Sequence, residues 1–185
     1  MTKIIIGFSG EMASGKGTCA KYFVEHHDAV TYRFSTPLRD VVKRLHLPED
    51  RGTIQHMSTT LRTEFGEDLL AKVIFGDVQS DTHELVVVDG VRRPDDVKYL
   101  RQLPEFKLVY IEAPMETRHE RIVLRGENAD DTSKTWEQFQ KDHESEPELQ
   151  IKDLKQLASD VVDNSGDLNA LHAQLDTLFA KYRGA

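Results

Sequence analysis

The run Gly10-Glu11-Met12-Ala13-Ser14-Gly15-Lys16-Gly17-Thr18 has the composition and spacing of a loop that wraps a polyphosphate. Its pattern is Gly-x4-Gly-Lys, with Gly17 directly after the lysine and the hydroxyl one place later, at Thr18. Glycines let the backbone turn so that successive N–H groups converge on an anion. A helix beginning near Lys16 aims the positive end of its dipole at the same point. On this reading Gly10, Ala13, Ser14, Gly15, Lys16, Gly17 and Thr18 bind ATP. Lys16 reaches the β- and γ-phosphates as a point charge, and the Thr18 hydroxyl ligates magnesium.

Further along, Val86-Val87-Val88-Asp89-Gly90 is an apolar strand ending in a carboxylate, with Arg92 and Arg93 directly after it. An acid in that position steers magnesium or contacts the phosphoryl acceptor; a plain Asp-Gly turn is the alternative. Arg39 lies early in a helix opened by Pro37, and Arg62 lies in the next long helix. A guanidinium makes two parallel hydrogen bonds to phosphate and keeps its charge, so Arg39, Arg62, Arg92 and Arg93 are candidate phosphate-binding residues. Spacing alone equally allows Arg39 and Arg62 to be exposed partners of nearby acids. Arg118, Arg121 and Arg125 are spaced by three and four, so they share one helical face. That stripe runs into a polar stretch and suits a clamp on the transferring group, with Glu116 and Glu120 as alternative ion-pair partners. The expected catalytic residues are therefore Lys16, Asp89, Arg121 and Arg125, and the expected metal ligands Thr18 and Asp89. The eight histidines show no metal-ligand spacing and read as surface residues. Trp136 and Phe139 read as the buried face of their helix.

These groups need a scaffold, and the apolar pattern supplies one. Strands are expected at Lys3–Ser9, Ala29–Phe34, Glu84–Asp89, Lys107–Glu112 and Asp160–Val162. They are β-branched, short and nearly continuous, as strands buried on both faces are. Helices are expected at Gly15–His27, Pro37–Leu45, Thr59–Val78, Pro94–Gln102, Met115–Arg125, Thr135–Glu144, Ile151–Ala158 and Asp167–Tyr182. Alternation of strand and helix implies a doubly wound α/β fold with about five parallel strands and helices on both faces. Ligands bind such sheets at the carboxyl ends of the strands, which gathers Gly10, Phe34–Thr36, Asp89–Arg93, Ala113 and Asn164 around one crevice. Asn164 is on that ground placed with the ATP-binding residues. His46–Ser58 and Gly126–Lys134 interrupt the rhythm as polar connections, a composition that suits mobile covers over a phosphate loop.

Composition bounds the partners. The chain has 185 residues and a formal net charge of −8, enough for one domain with a real core and the wrong sign for a broad nucleic-acid surface. One cysteine, Cys19, excludes an intramolecular disulfide and a cysteine zinc cluster. The chain begins directly with a strand and contains no run of membrane-spanning length, so a cytoplasmic protein acting on small molecules, with no membrane partner, is expected.

The same segments resemble the nucleoside-monophosphate kinases of the adenylate-kinase-like group. Gly-x4-Gly-Lys-Gly-Thr is that group's variant of the phosphate loop. Phe34-Ser35-Thr36-Pro37-Leu38-Arg39 is similar to its acceptor-arginine segment, Asp89-Gly90-Val91-Arg92-Arg93 to its Asp-Gly-Phe-Pro-Arg, and Arg121-x3-Arg125 to the arginines where its lid begins. Over nearly the whole chain the likeness is closer to the archaeal-type adenylate-kinase and dephospho-CoA-kinase-related proteins. It is carried by Asp89-Gly90-Val91-Arg92 with Asp96-Val97, Leu61-Arg62-Thr63-Glu64-Phe65-Gly66, Asn128-Ala129-Asp130-Asp131, Trp136-Glu137-Gln138-Phe139, Lys141-Asp142 and Asp163-Asn164. The chain departs from the group at Thr36, where an acid is usual, and at Met12 and Ala13, where proline or glycine is usual. The resemblance implies a single P-loop kinase domain over 1–185, with an acceptor-binding insertion at about 35–80 and a lid at about 121–137. It implies ATP- and magnesium-dependent phosphoryl transfer to a nucleoside or deoxynucleoside monophosphate, with Arg39, Arg62, Arg92 and Arg93 as the acceptor-binding residues. Dephospho-CoA kinase and a slowly hydrolysing nucleotide-binding module are the alternatives. The oligomeric state stays open.

Overall fold

A computed structural model describes residues 3–125, 131–143 and 146–184. Its strands are β1 (Ile4–Ser9), β2 (Val30–Arg33), β3 (Leu85–Val91), β4 (Phe106–Glu112) and β5 (Asp160–Asp163). The helices are α1 (Lys16–His27), α2 (Thr36–Arg44), α3 (Arg51–Phe65), α4 (Leu69–Ser80), α5 (Pro94–Leu100), α6 (Met115–Arg125), α7 (Trp136–Asp142), α8 (Glu146–Leu157) and α9 (Leu168–Arg183). One sheet has the order β2-β3-β1-β4-β5, and every pairing in it is parallel.

Side chains alternate across β1 and so build two cores. Ile4, Ile6 and Phe8 pack with Phe23 of α1 and Leu171, Leu175 and Leu178 of α9. Ile5 on the other face joins Leu38 of α2, Leu70 and Ile74 of α4, Val97 and Leu100 of α5, and Leu154 of α8. Both faces being covered, the strand reads as an unbroken apolar run, and all six of its residues are buried. β2 and β3 lie on one side of β1, and β4 and β5 on the other. The end of β1 is therefore the point where connections diverge, the place where such sheets open a crevice.

Two sequence expectations change here. The helix expected at Thr59–Val78 is two helices, because Gly66 adopts φ 103° and its N–H closes α3 on the Arg62 carbonyl. The connection expected at His46–Ser58 is helical from Arg51, where the Asp50 carboxylate accepts from the Thr53 N–H at 2.8 Å and starts α3. Of the polar stretch Gly126–Lys134, residues 126–130 lie outside the described residues, and with them Asn128 and Asp130 of the resemblance.

Candidate functional site

The loop between β1 and α1 is shaped by close approach. Gly10 takes φ 146°, and a Cβ there would run into the Ile111 carbonyl; Gly15 takes φ 106°, and a Cβ there would strike the Asn164 amide. No other residue fits either place. Ala13 also takes the left-handed region, φ 60°, which L side chains disfavour. Lys16 stands at the start of α1, and its ammonium donates to the carbonyls of Gly10 at 2.6 Å and Glu11 at 2.9 Å. Gly17 and Thr18 are exposed on the first turn.

Two buried side chains hold this loop. Asn164, at the end of β5, donates its amide to the Ser14 carbonyl at 2.8 Å. Arg118, on α6 and 3% exposed, donates from Nη1 to the Met12 carbonyl at 3.2 Å and pairs Nη2 with Glu11 at 3.2 Å. The sequence reading put Arg118 on one helical face with Arg121 and Arg125, as a clamp on the transferring group. The structure separates them: Arg118 points inward with Ile122, Arg121 is half-buried, and Arg125 is exposed with Asp131 at 3.6 Å. His143 corrects the expectation that all histidines lie on the surface. It is buried, with Nε2 2.6 Å from Arg118. Its place was legible as the continuation of the buried stripe that carries Phe139, four residues before it on the same helical face. Phe139 is fully buried as expected, while Trp136 is only half-buried.

A cavity of about 240 Å³ lies beside the loop, lined by Gly15, Thr18, Arg121, Asn164, Gly166, Asp167 and Leu168. The Nη1 of Arg121 is buried and has no hydrogen-bond partner among the described residues. A buried guanidinium N–H without an acceptor is costly. The buried thiol of Cys19, one turn into α1, registers the charges around it. Burial pushes its pKa up to about 12, Asp89 adds to the rise, and Lys16 and Arg121 oppose it.

Asp89 pairs with Phe8 across the sheet, and the register then slips by one residue at Gly90. This bulge leaves the Asp89 side chain 14% exposed at the strand end, in an ion pair with Arg33 Nε at 3.1 Å. Beyond it, Asp96 of α5 reaches back to accept from the N–H groups of Arg92 at 3.0 Å and Arg93 at 3.1 Å. Asp96 is buried, and burial raises its pKa against those hydrogen bonds and the charge of Arg62. Arg62 is also buried. It donates to the Glu67 carbonyl and faces Asp96 at 3.9 Å. Arg93 donates to Glu67 Oε2 at 2.9 Å. Arg39 and Arg92 are exposed, and their guanidinium groups make no pairing among the described residues. Of the four arginines grouped by the sequence, two are therefore bound into the protein and two are open. Arg33, Glu67 and Asp96 as partners were missed; only Asp96 carried a signal, as an acid at the third position of a helix opened by Pro94.

A glycine loop joining the central strand of this parallel sheet to α1 defines a P-loop protein of the kinase-like α/β architecture, and the chain belongs to the AAA domain family AAA_18, which it matches over residues 6–148. Among its relatives is the UPF0200 protein of Hyperthermus butylicus, 27% identical over 182 residues, covering 98% of this chain and 96% of that one. The UPF0200 protein of Methanosarcina acetivorans is 35% identical over 128 residues, 68% of each chain. The crystal structure of shikimate kinase from Aquifex aeolicus matches with a TM-score of 0.58 at 14% identity, over 98% of this chain and 100% of that one, a likeness of fold.

Proposed function

We propose that this protein transfers the γ-phosphoryl group of ATP to a nucleoside or deoxynucleoside monophosphate. The observation that carries the reading is the doubly held loop with Lys16 at its mouth and the unpartnered Arg121 N–H beside the same cavity. The loop N–H groups hold the donor phosphates, and the cavity along Gly15, Asn164 and Leu168 takes the rest of the nucleotide. Lys16, Arg121 and Arg125 stabilise the charge that spreads over the transferring group, and that stabilisation is most of the catalysis in phosphoryl transfer. Thr18 and Asp89 offer hydroxyl and carboxylate oxygens, the hard donors magnesium prefers. Among the described residues no cluster of three or more acids, histidines or cysteines could hold a metal, which suits an ion that borrows phosphate oxygens rather than filling a protein cage. When bound, magnesium neutralises charge on the β- and γ-phosphates.

On the other side, Arg39 and Arg92 are the open cations for an acceptor phosphate, and Arg62 and Arg93 stiffen the ground behind them. Residues of about 35–80 form the acceptor-binding insertion and about 121–137 the lid. A sugar hydroxyl must lose its proton during transfer and benefits from a base. A monophosphate oxygen is already ionised. The segment after β2, Phe34-Ser35-Thr36, offers only hydroxyls. That favours a monophosphate, with Asp89 orienting metal or acceptor.

The test is ADP release from ATP and magnesium with AMP, CMP, UMP, GMP, their deoxy forms, dephospho-CoA and shikimate, each at equal concentration. Release that depends on one or more monophosphates is expected. Activity with dephospho-CoA or shikimate alone would overturn the acceptor assignment. Slow release indifferent to every acceptor would make the protein a nucleotide-binding module instead.

A further inference from the structure

We propose that Arg118 and His143 are positioning residues for the phosphate loop, so that α6 and α7 form the outer wall of the donor site. The inference rests on the reading that Gly10–Thr18 holds a nucleotide. An anion nest works only while its N–H groups point inward, and the carbonyls between them must then find donors outside. Asn164 supplies one such donor, on the β5 side. Arg118 supplies another. Its guanidinium spends Nε on the Ala113 carbonyl at 3.1 Å, Nη1 on the Met12 carbonyl at 3.2 Å and on His143 at 2.6 Å, and Nη2 on Glu11 at 3.2 Å. The end of β4, the loop and α7 are thereby tied through one planar group, whose fork fixes angles as well as distances.

The histidine side of the tie has a defined polarity. Nε2 meets a guanidinium N–H, so it accepts; Nδ1 lies 2.7 Å from the Phe139 carbonyl, so it donates. His143 is therefore the neutral Nδ1–H tautomer, and it is wedged edge-on against Phe139, with ring centroids 4.5 Å apart. Arg118 itself lies over the same ring, 5.9 Å from its centre. The tie reaches the functional lysine in one more step, because Glu11, held by Arg118 through its carboxylate, offers its own carbonyl to Lys16. Arg118 is buried against Glu11 and shares neither the exposure of Arg125 nor the cavity of Arg121. Its contribution to the site is position, whereas theirs is charge.

The test compares Arg118→Met, His143→Leu and His143→Gln with the wild type. Each is titrated with a fluorescent ATP analogue, and each is melted without ligand. Glutamine places an acceptor oxygen near the site of Nε2; leucine does not. Arg118→Met should bind nucleotide on the order of tenfold to a hundredfold more weakly, the scale expected when binding groups are displaced by about an ångström. His143→Leu should bind several-fold more weakly, and His143→Gln should return close to wild-type affinity. In steady-state assays the losses should fall on the KM for ATP and spare that for the acceptor. A purely structural role would lower the melting temperatures and leave the affinity of the folded fraction unchanged, which would overturn the proposal. If Arg118→Met does not fold, the His143 pair decides: equal affinities for leucine and glutamine would overturn it. Failure of the wild type to bind ATP would overturn the reading of the loop and the inference with it, whereas tight wild-type binding with unaffected variants would overturn the inference alone.

Discussion

The phosphate loop and the arginine group beyond β3 are held in opposite ways. Around the loop, buried side chains from two distant places converge on backbone carbonyls: Asn164 on Ser14, and Arg118, backed by His143, on Met12. The N–H groups are thereby left to face a ligand. Beyond β3 the charges are spent on one another. Arg33 holds Asp89, Arg93 holds Glu67, and Arg62 is fixed between the Glu67 carbonyl and Asp96. Of that group, the guanidinium groups of Arg39 and Arg92 make no pairing among the described residues. On the proposed reading, a donor of fixed chemistry, a polyphosphate, meets a preset cradle, and the acceptor side is a stiffened rim whose choice of substrate depends on what bridges its open cations.

The sharpest break of that comparison is at Lys16. Lys16→Ala should leave the melting curve close to wild type and lower phosphoryl transfer by about 10²–10³-fold, the usual cost of removing a charge aimed at the transition state. Near-wild-type turnover in the folded variant would remove the loop from catalysis.

Arg62 and Arg39 should then part company. Arg62→Ala strands the buried Asp96 carboxylate with two backbone N–H groups, and breaking a buried pair costs ~3 kcal/mol, or a melting temperature lower by roughly 6–12 °C. Arg39→Ala removes an exposed cation with no partner among the described residues, so its melt should be unchanged. Its KM for the acceptor should rise by about 10-fold to 100-fold, the equivalent of one charge-assisted hydrogen bond, with the KM for ATP unaffected. If Arg39→Ala impaired ATP instead, the division of the site into two halves would be wrong.

Smaller effects sharpen the picture of the cradle. Ala13→Gly relieves the left-handed backbone at φ 60°; the gain of ~1–2 kcal/mol, less the entropy glycine adds to the unfolded chain, should leave a net stabilisation of about 0.5–1 kcal/mol. Thermal denaturation measures it, and a lower melting temperature would show that the methyl group is needed. Cys19, pushed up to about 12 by burial and by Asp89, should not react with a thiol reagent at pH 8 until the protein is unfolded. Rapid labelling of the folded chain would show that the start of α1 opens.

The fold was legible because its signals are local. Ile4 to Phe8 and Val86 to Val88 are strands covered on both faces, and glycine with lysine at one spacing fixes the loop between β1 and α1. The break of the Thr59–Val78 helix was carried by Gly66, which sequence alone does not distinguish from a tolerated helix glycine. The candidate site was legible where one motif sets it and obscure where partners come from far along the chain. Arg118 shares its spacing with Arg121 and Arg125, yet it points inward, because Met12 and His143 wait there, 106 and 25 residues away. Likewise nothing in the spacing of Arg62 or Arg93 tells that Glu67 and Asp96 already hold them.

Phosphorus NMR of the protein mixed with ATP, magnesium and the most active monophosphate tests the central claim most directly. The account predicts that the γ-phosphate signal of ATP falls while two diphosphates accumulate together, ADP and the diphosphate of the acceptor, with no inorganic phosphate. Inorganic phosphate as the product, at a rate the monophosphate does not change, would contradict it.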